Sequence, residues 1–164
     1  MNLVPIKDYE GYYSFDLNTN QIYGHYRKKY KKPYLNNTGY YQIQLWKNSK
    51  EKHFVLHRLI YEAYNGEIPE GMIIDHFDNN KQNNNIENLR LATNSENQCN
   101  HKVRKDNLST GYKNIYKTKG NTYRVQIRKN NKVVYNKTFK TLKQAITNRD
   151  IQLVLIHGEF HNLG

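Results

Sequence analysis

The sequence predicts an α+β protein made of small modular units, with a central strand–loop–strand–helix segment and a C-terminal three-stranded antiparallel sheet carrying one helix. Hydrophobic residues make up only 37% of the chain and the mean hydropathy is −1.00, so one large core is not expected. Short segments of period-two alternation are interspersed with segments of helical spacing. Net charge also changes stepwise along the chain, which favours modules at 1–52, 53–107 and 108–164.

The charge distribution indicates a polyanionic partner. Residues 1–52 carry nine Lys and Arg against four Asp and Glu, whereas residues 53–101 carry three against seven. Residues 102–164 carry 14 against three, and the whole chain has a net charge of +12 and a pI near 9.6. An acidic centre between basic arms suits a site held against a phosphate backbone. Surface lysines that only confer solubility would need no such segregation.

Membrane insertion and cysteine chemistry are both disfavoured. No run of about 18 apolar residues and no signal-peptide pattern is present, so no membrane partner is expected. Cys99 is the only cysteine, which excludes an intramolecular disulfide and a cysteine-based zinc site. An intracellular protein is therefore predicted.

The first module is predicted to be β-rich. Aromatic runs at 12–15 and 21–24 flank a turn at 18–20, which predicts a hairpin, and the alternation of residues 40–46 predicts another strand. Residues 26–32 interleave basic side chains with tyrosines. This run suits phosphate contact and ring stacking, but it equally suits a solvated loop.

The second module is predicted to begin with a segment of helical period over 53–64, in which His57 and Arg58 open a helix that Asn65-Gly66 ends. His57 lies near the start of this helix, and we interpret it as structural rather than as a metal ligand. A strand over 72–74 then leads into an Asn-rich loop, and a second strand covers 88–92.

The residues that carry chemistry lie on or after these two strands: Asp75-His76, Asn88 and Asn97. Thr93 and Glu96 match a capping box, which places Asn97 in the first turn of a helix. A carboxylate and an amide oxygen can hold a hard divalent cation, and an imidazole can take a proton from water. The remaining amide can orient the imidazole. Alone, the Asp-His pair would also suit a salt-bridged loop, but the downstream asparagines favour metal-assisted phosphodiester cleavage.

The third module is predicted to form three strands, at 114–117, 123–129 and 132–139, followed by a helix that Thr141 begins and Gly158 ends. In the middle strand, one face carries Tyr123, Val125 and Ile127, and the other carries Arg124, Gln126 and Arg128. The second face suits insertion into a DNA major groove, and the alternative is an ordinary solvated face.

These residues resemble the HNH (ββα-metal) endonuclease motif. The resemblance covers residues 74–81, then Asn84, Asn88-Leu89, Thr93, Glu96 and Asn97. Residues 4–23 resemble the nuclease-associated module found before this motif in homing endonucleases, although the usual initial Trp is missing. Residues 109–160 resemble the DNA-binding domain of plant ethylene-response factors. The combination is most similar to phage homing endonucleases of group I introns.

The resemblance implies a role for each residue of the motif. His76 is implied to be the general base, and Asn88 to orient it. Asp75 and Asn97 are implied to ligate one Mg²⁺ or Mn²⁺. Many family members have a His at the position of Asn97. A neutral amide oxygen suits a hard cation and argues against zinc.

We therefore expect a sequence-directed DNA endonuclease that hydrolyses phosphodiester bonds and nicks double-stranded DNA as a monomer. Its expected location is the cytoplasm of a host cell, bacterial if the protein is phage-encoded. The alternative is a non-catalytic DNA-binding regulator with a decayed nuclease centre, and the residues alone do not exclude RNA. The side chains expected to contact DNA come from all three modules: Arg27, Lys28, Lys29, Lys31, Lys32, Arg58, Lys81, Arg90, Lys102, Arg104, Lys105, Lys113, Arg124, Gln126 and Arg128.

Overall fold

The structure is a computed structural model that describes residues 1–100 and 109–161. Within these ranges it contains four small antiparallel sheets and three α-helices, which confirms the predicted α+β class. The chain divides into two compact units, Met1–Ala92 and Thr93–Gly164. None of the described helices is both long and apolar enough to cross a lipid bilayer.

The first unit begins with two sheets in which neighbouring strands are also consecutive in sequence. The first sheet contains β1 (Leu3–Pro5), β2 (Tyr13–Asp16), β3 (Gln21–Gly24) and β4 (Lys29–Tyr30). The second contains β5 (Tyr34–Leu35), β6 (Tyr41–Lys47) and β7 (Lys50–Val55). The predicted hairpin is β2–β3, and the predicted strand at 40–46 is β6. Strands β6 and β7 meet at Asn48 and Ser49, whose φ angles of 51° and 61° are typical of a tight hairpin turn.

Helix α1 (Leu56–Asn65) begins one residue before His57, which with Arg58 was predicted to open it. Residues 53–55 belong to β7, and His53 lies opposite Gln44 of β6. The helix ends as expected at Gly66, which has a φ of +84° and donates its backbone N–H to the carbonyl of Glu62.

Strands β8 (Ile73–His76) and β9 (Leu89–Ala92) form a two-stranded antiparallel sheet. A loop and a short 3₁₀ turn over Ile86–Asn88 connect them. This sheet shares one hydrophobic core with the preceding strands and α1, and the core includes Phe15, Ile43, Leu59 and Ile74. Buried residues from Ile6 to Leu89 thus share one core, and the module boundary at residue 52 stays a prediction.

The second unit contains α2 (Asn94–Asn100), β10 (Ile115–Lys117), β11 (Tyr123–Lys129), β12 (Lys132–Phe139) and α3 (Leu142–His157). Helix α3 packs on β11, and the core between them includes Val125, Ile127, Ala145 and Leu153. Burying a side chain the size of Val or Ile stabilises a fold by about 1.5–3 kcal/mol. The predicted inward face of β11 is thus confirmed, and Arg124 and Arg128 on its other face are exposed.

Both predicted helix starts in the second unit are present. Glu96 accepts hydrogen bonds from the backbone N–H and the hydroxyl of Thr93, each at 2.8 Å, and donates its own N–H to Thr93 Oγ1 at 3.2 Å. This is a complete capping box for α2. At the start of α3, Thr141 Oγ1 accepts from the N–H of Gln144.

Candidate active site

Asp75 and His76 are the last two residues of β8, and both are buried, with 4% and 5% of their surface exposed. Antiparallel pairing places them opposite Arg90 and Leu89 of β9. Tyr40 adjoins both residues. Its ring centroid lies 5.9 Å from that of His76, and its pKa is raised by burial and, to a smaller extent, by the charge of Asp75. Two ionisable groups and a phenol thus converge at one strand end.

Asn84 is the hydrogen-bond partner of the His76 ring. His76 Nε2 lies 3.1 Å from Oδ1 of Asn84, in the loop between β8 and β9. In the tautomer protonated at Nε2, this nitrogen donates to the amide oxygen, which can only accept. The basic lone pair of the neutral ring is then on Nδ1. We assign this tautomer to His76, because the oxygen of Asn84 lies against Nε2.

His57 packs edge-on against the same ring, with centroids 4.9 Å apart. The pKa of His57 is lowered to about 3, mainly by burial and to a smaller extent by the charges of His76 and Arg58. His57 is consequently neutral near pH 7. Its uncharged ring packs beside His76, which agrees with the interpretation of His57 as a structural residue.

Asn88 anchors the loop that carries Asn84. Its Nδ2 donates to Oδ1 of Asp78 at 3.0 Å and to the carbonyl of Asn83 at 2.9 Å, and its Oδ1 accepts from the N–H of Asp78 at 3.0 Å. These bonds tie both ends of the segment 78–83 to one buried side chain. Because Asn84 follows directly, Asn88 acts on His76 through the loop. The direct contact with the ring comes from Asn84, a motif residue to which the sequence assigned no role.

Asp78 stays ionised under this arrangement. Burial by itself raises the pKa of Asp78, but hydrogen bonds from Asn83, from the N–H of Asn80 and from Asn88 outweigh burial and lower it overall. The carboxylate also accepts from Asn83 Nδ2 at 2.8 Å. The ionised Asp78 therefore accepts the hydrogen bonds that hold the Asn-rich loop in its conformation.

Arg90 is paired with Asp75. Both Nε and Nη2 of Arg90 lie 2.9 Å from Oδ2 of Asp75, and the guanidinium packs over the ring of Phe77 at 4.8 Å. Only 14% of the Arg90 side chain is exposed. Arg90 was predicted to contact DNA, whereas the structure places it inside the candidate site, next to the proposed metal ligand. Contact between Arg90 and DNA stays a prediction.

The donor atoms of Asp75 and Asn97 suit a hard cation. Carboxylate and amide oxygens are preferred by Mg²⁺ and Mn²⁺, and Asp75 supplies the single formal charge of the pair. Among the described residues, no group of three or more His, Cys, Asp and Glu side chains could hold a metal ion. Asn97 lies in the first turn of α2, with its N–H bonded to the carbonyl of Thr93 at 3.0 Å. Because α2 belongs to the second unit, the pairing of Asn97 with Asp75 stays a prediction.

Most of the described basic residues predicted to contact DNA are exposed, and Lys31 and the amide of Gln126 are half-buried. The exposed set consists of Arg27, Lys28, Lys29, Lys32, Arg58, Lys81, Arg124 and Arg128. Lys81 is placed close to the site, since its Nζ donates to the carbonyl of Thr38 at 3.0 Å and lies 4.6 Å from the Tyr40 ring centroid.

Lys113 has a structural partner that the sequence did not indicate. Its Nζ donates to the carbonyls of Gln98 and Cys99, at 3.3 and 2.9 Å, near the C-terminal end of α2. Burial lowers the pKa of Lys113. The side chain therefore binds helix carbonyls, a common role for lysine at a helix end. The predicted DNA contacts Lys102, Arg104 and Lys105 lie outside the described residues.

Comparison with known proteins agrees with this site. Residues 54–99 match the family model described as HNH endonuclease. This confirms the central resemblance drawn from the sequence. The matched segment contains Asp75, His76, Asn84, Asn88 and Asn97.

Individual relatives include phage and viral endonucleases. The chain is 41% identical over 101 residues to DNA endonuclease I-HmuI of Bacillus phage SP01, which covers 60% of this chain and 58% of the relative. It is 35% identical over 106 residues to an uncharacterized HNH endonuclease of Acanthamoeba polyphaga mimivirus, covering 64% and 54%. The matches thus span a little over half of these relatives.

A solved structure of the HNH homing endonuclease I-HmuI, which describes DNA binding and cleavage by that enzyme, is similar to the whole fold. The TM-score is 0.54 at 27% identity, and the match covers 96% of this chain and 91% of that chain. The similarity therefore extends well beyond the HNH segment. The finer resemblances of residues 4–23 and 109–160 stay predictions.

Proposed function

We propose that this chain is a homing-type HNH endonuclease that hydrolyses phosphodiester bonds of double-stranded DNA with one divalent ion. The observation that carries the proposal is the contact between His76 Nε2 and Asn84 Oδ1. It gives a buried imidazole with a defined basic nitrogen, beside a carboxylate, in a segment that matches the HNH endonuclease family model. The relative I-HmuI is a DNA endonuclease, which supports the choice of substrate.

His76 acts as the general base in this proposal. Nδ1 takes a proton from the attacking water while Nε2–H continues to donate to Asn84. Because the amide oxygen accepts from the ring before and after proton transfer, the ring does not need to reorient during the step. Neutral His57 adds no competing positive charge as the imidazolium forms.

Asp75 and Asn97 are the residues that would hold Mg²⁺ or Mn²⁺. A bound divalent ion supplies stabilisation of negative charge on the phosphate and on the leaving oxygen. Since Asn97 is neutral, the protein contributes a single negative ligand, and phosphate oxygens of the DNA would complete the set. We therefore expect weak metal affinity in the absence of DNA.

Exposed basic residues at two places in the chain would grip the DNA backbone. One set is the run from Arg27 to Lys32 around β4, and the other is the face of β11 that carries Arg124 and Arg128. The Arg124 guanidinium lies 5.7 Å from the ring centroid of Tyr116, which holds it against the sheet. Each phosphate contact contributes to affinity independently of base sequence.

A chain with one HNH segment, acting as a monomer, would cut one strand per binding event. The match to the HNH family is confined to residues 54–99, which corresponds to one catalytic centre per chain. Nicking by a monomer inside the host cell is therefore part of the proposal.

The test is incubation of the purified protein with DNA from its own genomic neighbourhood, with and without Mg²⁺, followed by mapping of breaks on each strand. The proposal predicts breaks on one strand at a defined site and none after chelation. DNA binding without breaks under either condition would instead support a non-catalytic regulator. Breaks on both strands by a monomer would refute the nicking proposal alone.

A further inference from the structure

Arg90 faces Asp75 directly across the β8–β9 sheet. The two residues are register partners, and two guanidinium nitrogens lie 2.9 Å from the same carboxylate oxygen. The contact is therefore fixed by backbone pairing as well as by side-chain geometry.

The ion pair is shielded from water. Asp75 has 4% and Arg90 14% of its side chain exposed, and the ring of Phe77 covers the guanidinium. Interactions between charges are stronger in such a setting than at an open surface, because screening by water and salt is weaker. Arg90 thus has a substantial influence on what Asp75 can bind.

The same carboxylate is the one charged ligand in the proposed metal site. A guanidinium in contact with it compensates its charge and repels a divalent cation. Arginine is also the side chain best suited to bind phosphate, through paired N–H donors. The partner that could release Asp75 is therefore the DNA phosphate itself.

We propose that Arg90 makes divalent-ion binding at Asp75 conditional on DNA. In the free protein, Arg90 occupies the carboxylate and opposes the ion. When DNA binds, a phosphate takes over hydrogen bonds of Arg90, and Asp75 becomes the ligand. Arg90 is in this account a positioning residue, and the inference rests on the proposed metal-dependent nuclease function.

The experiment is a calorimetric Mn²⁺ titration of the full chain, free and bound to duplex DNA from its genomic neighbourhood. All proteins carry His76→Ala so that the DNA stays intact. Arg90→Gln should bind Mn²⁺ about tenfold more tightly than the parent in the free state, since one repelling charge is removed near the ion. DNA should increase Mn²⁺ affinity in the parent about tenfold or more, and much less in Arg90→Gln.

Lys50→Gln is the matched control, because it removes the same charge from an exposed position of the same unit. It should behave as the parent does. Free Arg90→Gln with unchanged or weaker Mn²⁺ affinity would overturn the inference while leaving the nuclease proposal standing. If no protein binds Mn²⁺ with or without DNA, the proposed metal site fails and the inference fails with it.

A second measurement avoids dependence on the folding of Arg90→Gln. The Nε–H resonance of Arg90, assigned by its loss in Arg90→Lys, reports the bond to Asp75 in the His76→Ala protein. Addition of DNA without metal should shift this resonance, and Mg²⁺ without DNA should not. If the resonance does not shift when DNA is added, the result contradicts the proposed transfer of Arg90 hydrogen bonds from Asp75 to phosphate.

Discussion

The Nε2 atom of His76 lies 3.1 Å from Oδ1 of Asn84, so the loop after β8 supplies the contact that orients the proposed base. Asn88 is one step removed, since its side chain ties Asp78 and Asn83 together and thereby sets the position of Asn84. Two asparagines of the motif thus position His76, one by direct contact and one through the loop. Their substitution should therefore have different effects on the protein.

Asn84→Ala should reduce the cleavage rate with little change in DNA affinity. The ring would lose the partner that fixes its tautomer, and loss of such an orienting contact costs about 10- to 100-fold in activity. Single-turnover cleavage and equilibrium DNA binding measure the two effects separately. Asn37→Ala, an exposed asparagine of the same unit, is the control and should cleave normally. Full activity of Asn84→Ala would show that the loop contact is dispensable.

Asn88→Ala should lower both activity and stability. It removes the hydrogen bonds to the N–H of Asp78 and to the carbonyl of Asn83, and each lost hydrogen bond costs about 0.5–1.5 kcal/mol. Denaturant unfolding at pH 7 measures the free energy of unfolding. A stability loss larger in Asn84→Ala than in Asn88→Ala would reverse the assignment of the two roles.

His57 should make the protein less stable as the pH falls below neutrality. Its pKa in the folded state is about 3, mainly because of burial, against an ordinary value of 6.5. Between these values the unfolded chain binds a proton that the folded chain resists, so the free energy of unfolding falls with falling pH. The slope from this group is at most about 1.4 kcal/mol per pH unit, and above pH 6.5 the contribution vanishes.

Comparison with His57→Gln checks this pH dependence. Denaturant unfolding between pH 7.5 and 5 should give a free energy of unfolding that depends less steeply on pH in the variant. Parallel pH profiles would mean that His57 is protonated in the folded protein.

Replacing Arg124 and Arg128 with alanine should weaken DNA binding and reduce its salt dependence. Each lost phosphate contact lowers the log–log slope of affinity against salt by about 0.9. Filter binding or fluorescence anisotropy over a salt series measures the slope. Lys119→Ala, in the turn before β11, serves as the control. An unchanged slope in the double variant would remove this sheet face from the backbone contacts.

Local patterns in the sequence predicted much of the fold. Three features depend only on residues that are close in sequence, and all three were predicted correctly. They are the Thr93–Glu96 capping box, the alternation along β11 and the end of α1 at Gly66. The start of α1 at Leu56 also lies within one residue of the predicted opening at His57, and residues 53–55 before it pair with β6.

The candidate site was predicted less completely than the fold. Asp75 and His76 could be predicted as site residues because a carboxylate and an imidazole are recognisable in the sequence as a metal ligand and a general base. Asn84 is one of several asparagines between residues 79 and 88, and no period distinguishes the one that reaches His76. From the sequence, Arg90 was interpreted as a surface cation. Its contact with Asp75 depends on the pairing of β8 with β9, which local sequence patterns do not show.

The central claim is that His76 is the base of a metal-dependent DNA cleavage reaction. The most direct measurement compares strand cleavage and DNA affinity of His76→Ala with those of the native chain in Mg²⁺, using His53→Ala, an exposed histidine of the same unit, as control. The account predicts that His76→Ala binds DNA with nearly native affinity and leaves it uncut, while His53→Ala cuts normally. Cleavage by His76→Ala at the native rate would contradict it.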